Sequence, residues 1–187
     1  MAKILKGADV VEALNSKMIS QVKELRNKGI IPTIATVRVG EVSDQISYEK
    51  AVIKRAETVG VANLQVVLPL DVDEETVINE INTLNNDSNV HGVLIFRPLP
   101  KHLNDERIRL ALNPEKDIDG ITDGSLAGVF SDSDTGFAPC TAKACIEILD
   151  FYNINCTGKR AVVIGRSLVV GKPVAIMLMG KNATVTV

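Results

Sequence analysis

Ala161–Val187, AVVIGRSLVVGKPVAIMLMGKNATVTV, decides the fold of this chain. Ala161–Ile164 is a short apolar, β-branched run, as a strand buried on both faces requires. Gly165 ends it where the backbone must turn sharply without a Cβ. Ser167 can cap a helix start, Gly171 permits close helix–strand approach, and Pro173 suits a first helical turn, where its missing N–H is not needed. Gly180-Lys181-Asn182 stops the helix, and Ala183–Val187 is a second apolar strand. The unit reads β-α-β, and its first turn aims backbone N–H groups at an anion. The glycine pattern falls short of G-x-G-x-x-G and is weak evidence alone. A kinase-type phosphate loop is rejected, because the spacing is one residue too long and Pro173 stands where Ser or Thr would hold Mg²⁺.

Working back from this unit, Thr141–Tyr152 is an amphipathic helix capped at Thr141, and Asn113–Gly136 is irregular and rich in Asp and Gly. Leu103–Leu112 is a short helix, and His91–Phe96 is a strand broken by Pro98-Leu99-Pro100. A helix runs from about Asp73 through Leu84, preceded by a strand at Ala62–Leu68. Ser43 or Asp44 starts a helix that Gly60 stops, Pro32–Val39 is a strand, and Asp9–Lys28 carries helical apolar spacing. Strands alternating with helices predict an α/β chain with parallel sheets. Two domains are expected: an N-terminal parallel-sheet α/β domain over 1–138, then over 139–187 an interdomain helix and the first βαβ of a Rossmann-like domain. The stretch Ser125–Gly136 marks the expected boundary. A doubly wound fold uses about six strands. Here two are supplied, so the sequence is expected to be a piece of a longer protein, or to be completed by a partner.

The chain has 187 residues, 45% of them hydrophobic and 24% charged, enough for one good core or two small ones. A net charge of −2 gives no broad pull toward nucleic acid or membrane. Aromatics are 3% with no Trp, which argues against a base-stacking platform. No apolar run approaches the ~18 residues of a membrane span, and MAKILKGADV lacks a signal-peptide core, so a cytoplasmic protein is expected. Cys140, Cys145, Cys156, His91 and His102 lack the spacing of a zinc site, and Asp132 and Asp134 form an incomplete calcium loop; no metal is expected.

Five patterns coincide: Tyr48 on the second helix, GVLIFRPLP at Gly92–Pro100, PEKDIDG at Pro114–Gly120, PCTAKACIEIL at Pro139–Leu149, and GRSLVVGKP at Gly165–Pro173. In this order and spacing the chain resembles the methylenetetrahydrofolate dehydrogenase/cyclohydrolase family over essentially its whole length. The resemblance implies two α/β domains with the active site in the cleft between them, usually in a homodimer. It implies oxidation of 5,10-methylenetetrahydrofolate with NADP or NAD, usually followed by hydrolysis of the methenyl product to 10-formyltetrahydrofolate.

By the same resemblance, Tyr48 packs along the folate and Asp119 binds the pterin ring, and these two are the candidate catalytic residues. A carboxylate can accept two N–H bonds from an aminopyrimidinone edge. Asp117, two residues earlier, reads more readily as a turn former. Phe96, Pro98, Leu99 and Pro100 are expected to shape the substrate wall. Gly165, Arg166, Ser167 and Gly171 match the cofactor turn, and Arg166 suits a 2′-phosphate, which favours NADP. Cys140 reads as packing rather than nucleophile.

Two departures from the family pattern concern hydrolysis. The usual lysine four residues after the tyrosine is Val52, and the usual glutamine that supports it is Phe96. Lys50 and Lys54 are turned roughly 160–200° around the helix from that position, at ~100° per residue. A dehydrogenase with little or no cyclohydrolase activity is therefore expected. The alternatives are a bifunctional enzyme using Lys50 or Lys54, a non-catalytic folate-binding fragment, and a Rossmann protein with another substrate.

Overall fold

The computed structural model describes residues 3–187. In chain order the elements are α1 (Ala8–Asn27), β1 (Thr33–Val39), α2 (Ser43–Val59), β2 (Ala62–Leu68), α3 (Glu74–Asn86), β3 (Gly92–Ile95), α4 (Asp105–Ala111), α5 (Asp123–Ser131), α6 (Cys140–Phe151), β4 (Arg160–Val162), α7 (Gly171–Gly180) and β5 (Thr184–Thr186). Packing divides the chain into two compact units, Asn15–Lys116 and residues 3–14 together with Asp117–Val187. Both are built on parallel sheets, as the alternation of strands and helices predicts.

In the unit Asn15–Lys116 the sheet order is β2-β1-β3, with Thr33 opposite Ala62 and Ile34 opposite Gly92. Successive side chains of β1 point to opposite faces. Ala35, Val37 and Val39 go to one face and are buried, as are Val77, Ile81 and Leu84 of α3 and Ile108 of α4. Thr36 and Arg38 go to the other face, where they meet Glu49 of α2. The Thr36 hydroxyl donates to Glu49 Oε1 at 3.2 Å and Arg38 Nε donates to Oε2 at 2.9 Å, while Arg38 Nη1 donates to the Gly40 carbonyl. Arg38 and Glu49 are 8% and 2% exposed. Removing one partner of so buried a pair costs about 3–5 kcal/mol, because the other charge is left uncompensated. The pair therefore holds α2 at one rotation over β1, which fixes the face that carries Tyr48.

Helix ends in this unit follow local chemistry. Asp73 caps α3 by accepting from the Thr76 N–H at 2.8 Å, and this bond, followed by that from the Thr76 hydroxyl, holds its carboxyl below the usual range. Gly60, at φ 83°, closes α2. The expected side-chain cap from Ser43 or Asp44 is not made: Val42 is the N-cap residue, with no side-chain bond.

In the other unit β4 and β5 pair in parallel. Ala142 and Ile146 of α6, Val174 and Leu178 of α7, and Cys156 form the core, with Ala161, Val163 and Val185 packed on it. The Tyr152 hydroxyl donates to the Lys6 carbonyl at 2.9 Å, which ties the N-terminal segment to the end of α6.

Three expectations are corrected here. The strand expected at Ala161–Ile164 is covered on one face: Ala161 and Val163 reach the helices, while Val162 is 74% and Ile164 99% exposed. Strand alternation puts those two on the opposite face, which is open to solvent among the described residues. The stretch expected to be irregular contains a 3₁₀ turn at Pro114–Lys116 and the helix α5. No apolar stripe announces α5; a local polar nucleus starts it instead. Asp117, fully buried, accepts from the Ile121 and Thr122 N–H groups at 3.1 and 2.7 Å and from the Ser125 hydroxyl at 2.7 Å. Thr122 then caps α5 by accepting from the Ser125 N–H at 3.1 Å. Finally, α6 begins at Cys140 with Pro139 as N-cap residue, and α7 begins at Gly171, so neither Thr141 nor Ser167 is the cap of its helix.

Candidate functional site

In the unit Asn15–Lys116 the candidate residues converge on α2 and the segment after β3. Gln45, Tyr48 and Val52 stand at i, i+3 and i+7 on α2 and so share one face. The Tyr48 ring meets the Phe96 ring edge to face, centroids 5.7 Å apart and planes at 84°. Phe96 is 3% exposed and Tyr48 57% exposed, so Phe96 lies beneath the tyrosine and Tyr48 presents the surface. Such an aromatic pair is worth about 0.5–1.5 kcal/mol beyond its burial. Pro98 follows a cis peptide bond from Arg97, and its carbonyl accepts from Gln45 Nε2 at 2.9 Å. Leu99 and Pro100 are half-buried beside it. Tyr48 and Val52, with Ile34, Ala51, Arg55 and Val59, also line a shallow, mainly apolar groove of about 390 Å³. Lys50 and Lys54 are exposed.

In the other unit Asp119 is half-buried beside Cys140. The Cys140 thiol donates to the Ile118 carbonyl at 3.2 Å. Its pKa is pushed up to about 11, first by burial around the sulfur, then by the charge and hydrogen bond of Asp119, and last by the charge of Asp117. The thiolate is the nucleophile, so this shift disfavours the reactive form near neutral pH although Cys140 itself is exposed. Alkylation of Cys140 by iodoacetamide, followed site by site by mass spectrometry, is expected to quicken about tenfold per pH unit between pH 7 and 10. It should level only near pH 11. Levelling near pH 9 would contradict this electrostatic picture.

The glycine turn has the form its residues demand. Gly165 adopts φ 137°, a conformation that L side chains avoid. A Cβ on Gly171 would lie 1.9 Å from the Gly165 carbonyl oxygen and 2.6 Å from the Arg166 nitrogen. The Ser167 hydroxyl accepts from the Val170 N–H at 3.1 Å and its carbonyl from the Lys172 N–H at 3.0 Å, which shapes the approach to α7. Gly165, Arg166 and Ser167 are exposed. An exposed glycine turn packed directly against the first residue of a helix suits a dinucleotide phosphate.

Residues 5–119 match the family model described as tetrahydrofolate dehydrogenase/cyclohydrolase, catalytic domain, and residues 139–187 match that family's NAD(P)-binding domain.

The chain belongs to the tetrahydrofolate dehydrogenase/cyclohydrolase family.

The chain is 46% identical over its full length to the bifunctional protein FolD of Carboxydothermus hydrogenoformans, and covers 65% of that protein. Its fold matches the crystal structure of the bifunctional FolD methylenetetrahydrofolate dehydrogenase/cyclohydrolase from Campylobacter jejuni with a TM-score of 0.94 at 32% identity, covering 98% of this chain and 65% of that one. A Trypanosoma brucei methylenetetrahydrofolate dehydrogenase-cyclohydrolase, solved with NADP and an inhibitor, matches at TM-score 0.88 and 31% identity, covering 99% of this chain and 63% of that one. The chain thus spans slightly less than two thirds of the length of these relatives.

For a tetrahydrofolate dehydrogenase/cyclohydrolase chain, three features of the site escape a reading of the sequence. Gln45 is buried against the Pro98 carbonyl, although its position one turn before Tyr48 on the same helix face was visible. Arg38 and Glu49 are paired, and a charge inside the apolar run of β1 was the available signal. Asp117 is wholly engaged in starting α5, which separates its role from that of Asp119.

Proposed function

We propose that this protein acts as an NADP- or NAD-dependent methylenetetrahydrofolate dehydrogenase, oxidising 5,10-methylenetetrahydrofolate to 5,10-methenyltetrahydrofolate with little or no cyclohydrolase activity. The observation that carries the proposal is the apolar pair around Tyr48. Val52 shares its helix face and Phe96 packs beneath its ring, where the family pattern has a lysine and a glutamine.

In this reading Tyr48 lies along the folate, and buried Phe96 holds the tyrosine ring from below. Pro98, Leu99 and Pro100 form a stiff wall. Asp119 accepts two N–H bonds from the aminopyrimidinone edge and so sets the orientation of the ring. NADP, bound at Gly165, Arg166, Ser167 and Gly171, supplies the hydride acceptor. Loss of hydride from the one-carbon bridge is driven by the neighbouring folate nitrogens, so the protein's part is positioning rather than proton removal. Hydrolysis needs a group that moves protons as water attacks. Val52 and Phe96 hold no such group, and they keep that side of the site apolar. The proposal includes a homodimer, as the family resemblance implies, and a cytoplasmic location.

The test is to supply 5,10-methylenetetrahydrofolate and NADP to the 187-residue protein and to follow NADPH and the folate products together. The expected result is NADPH formation with methenyltetrahydrofolate accumulating and decaying no faster than in buffer. Enzyme-dependent conversion to the formyl product would refute the loss of cyclohydrolase activity. Folate binding without NADPH would return the narrower reading, a folate-binding chain.

A further inference from the structure

Gln45 is 7% exposed, and its two amide atoms are treated unequally. Nε2 donates to the Pro98 carbonyl at 2.9 Å, while Oε1 is a buried oxygen with no hydrogen-bond partner among the described residues. The bond to Pro98 settles which end of the amide is which, because a carbonyl can be faced only by the NH₂ group. Leaving a buried acceptor unpaired is costly, and most such groups in folded proteins have a partner. Asn63 Oδ1 is the other unpaired oxygen among the described residues, but Asn63 is only half-buried and its amide nitrogen bonds to β1, to the Ile34 carbonyl and the Thr36 hydroxyl, and not to the wall at Pro98. Gln45 stands one helical turn before Tyr48 on the same face and is bonded to the wall residue Pro98. With Val52 apolar, Gln45 and the Tyr48 hydroxyl are the uncharged hydrogen-bonding groups on that stripe of α2.

We propose that Gln45 is a substrate-binding residue whose side-chain oxygen accepts a hydrogen bond from an N–H of the bound tetrahydrofolate. The bond from its amide nitrogen to Pro98 holds that oxygen in place before the ligand arrives, which lowers the ordering cost of binding. This inference rests on the folate reading and deepens it. It assigns to α2 a recognition contact that the apolar replacements at 52 and 96 cannot make.

The test uses the complete chain with tetrahydrofolate as the probe. The sequence has three glutamines, Gln21, Gln45 and Gln65, and the first and last are exposed. Selective ¹⁵N labelling of glutamine side chains therefore yields three readable NH₂ pairs with two internal controls. Saturating tetrahydrofolate is expected to shift the Gln45 pair and leave the other two in place. Gln45→Met is expected to bind tetrahydrofolate about 10- to 100-fold more weakly, the effect of losing a buried ligand hydrogen bond, with a ligand-free melting temperature close to that of the wild type. Wild-type binding with an unmoved Gln45 pair would overturn the inference and leave ordered water as the oxygen's partner. Gln45→Met affinity within about twofold of wild type would do the same. Should Gln45→Met not fold, the wild-type NMR titration decides the matter. If the wild type fails to bind tetrahydrofolate at all, the folate reading falls and takes this inference with it, a result the wild-type titration identifies by itself.

Discussion

Gly171→Ala is expected to destroy the glycine turn. The new Cβ would sit 1.9 Å from the Gly165 carbonyl oxygen, 2.2 Å from its carbonyl carbon and 2.6 Å from the Arg166 nitrogen. All three are backbone atoms, so no side chain can swing away to make room. Ordinary overpacking of a core costs about 1–3 kcal/mol. Here the first turn of α7 must part from the turn before it, carrying with it buried Pro173 and Val174 from the core of that unit. A loss of more than about 3 kcal/mol in denaturant unfolding is expected, together with loss of NADP binding by titration. Gly180→Ala is the control at the other end of the same helix. Its Cβ would meet nothing within 4 Å, and it should gain up to about 1 kcal/mol from helix propensity. A Gly171→Ala protein as stable as wild type would contradict the turn geometry. A stable one that binds NADP normally would also remove this turn from the cofactor site.

Asp119→Asn is expected to weaken tetrahydrofolate binding by about 100-fold while leaving the melting temperature within a few degrees of wild type. Hydrogen bonds to a charged partner are worth about 1.5–3 kcal/mol. An amide can keep one acceptor, but it turns an NH₂ toward a ring edge that itself donates. Asp117→Asn should behave in the opposite way. Asp117 is fully buried and takes two backbone N–H bonds and the Ser125 hydroxyl. Its substitution should loosen α5 and lower stability before it affects any ligand. The two aspartates, two residues apart, are thus separable by one melting curve and one binding isotherm. Unchanged tetrahydrofolate affinity in Asp119→Asn would remove the carboxylate from the proposed site. The same variant also removes a negative charge beside Cys140, so its thiol pKa should fall from about 11 and its alkylation at pH 8 should quicken.

What could be read in advance was what short-range chemistry encodes. β2 at Ala62–Leu68 follows from strand-forming residues between turn signals, and the stop of α2 follows from Gly60, the residue most tolerant of φ 83°. The cap of α3 follows from Asp73 three residues before Thr76. In each case the signal and the structure it specifies lie within one or two turns of chain. α5 carries no such signal because its start is polar: Asp117, Thr122 and Ser125 nucleate it through hydrogen bonds rather than through apolar periodicity.

The amino-acid sequence by itself determined the order of strands and helices apart from α5, their parallel pairing, and the family to which the chain belongs, because five local patterns stand in fixed register along it. The tertiary structure alone decided the environment of each side chain. Gln45 is buried by a carbonyl 53 positions away, Arg38 is neutralised by a glutamate 11 positions away, and Phe96 is covered by Tyr48 rather than facing solvent. Val162 and Ile164, as apolar as their neighbours, are exposed because strand alternation turns them away from the helices. Burial depends on which distant segments meet, and residue type sets only the energetic consequence once they do.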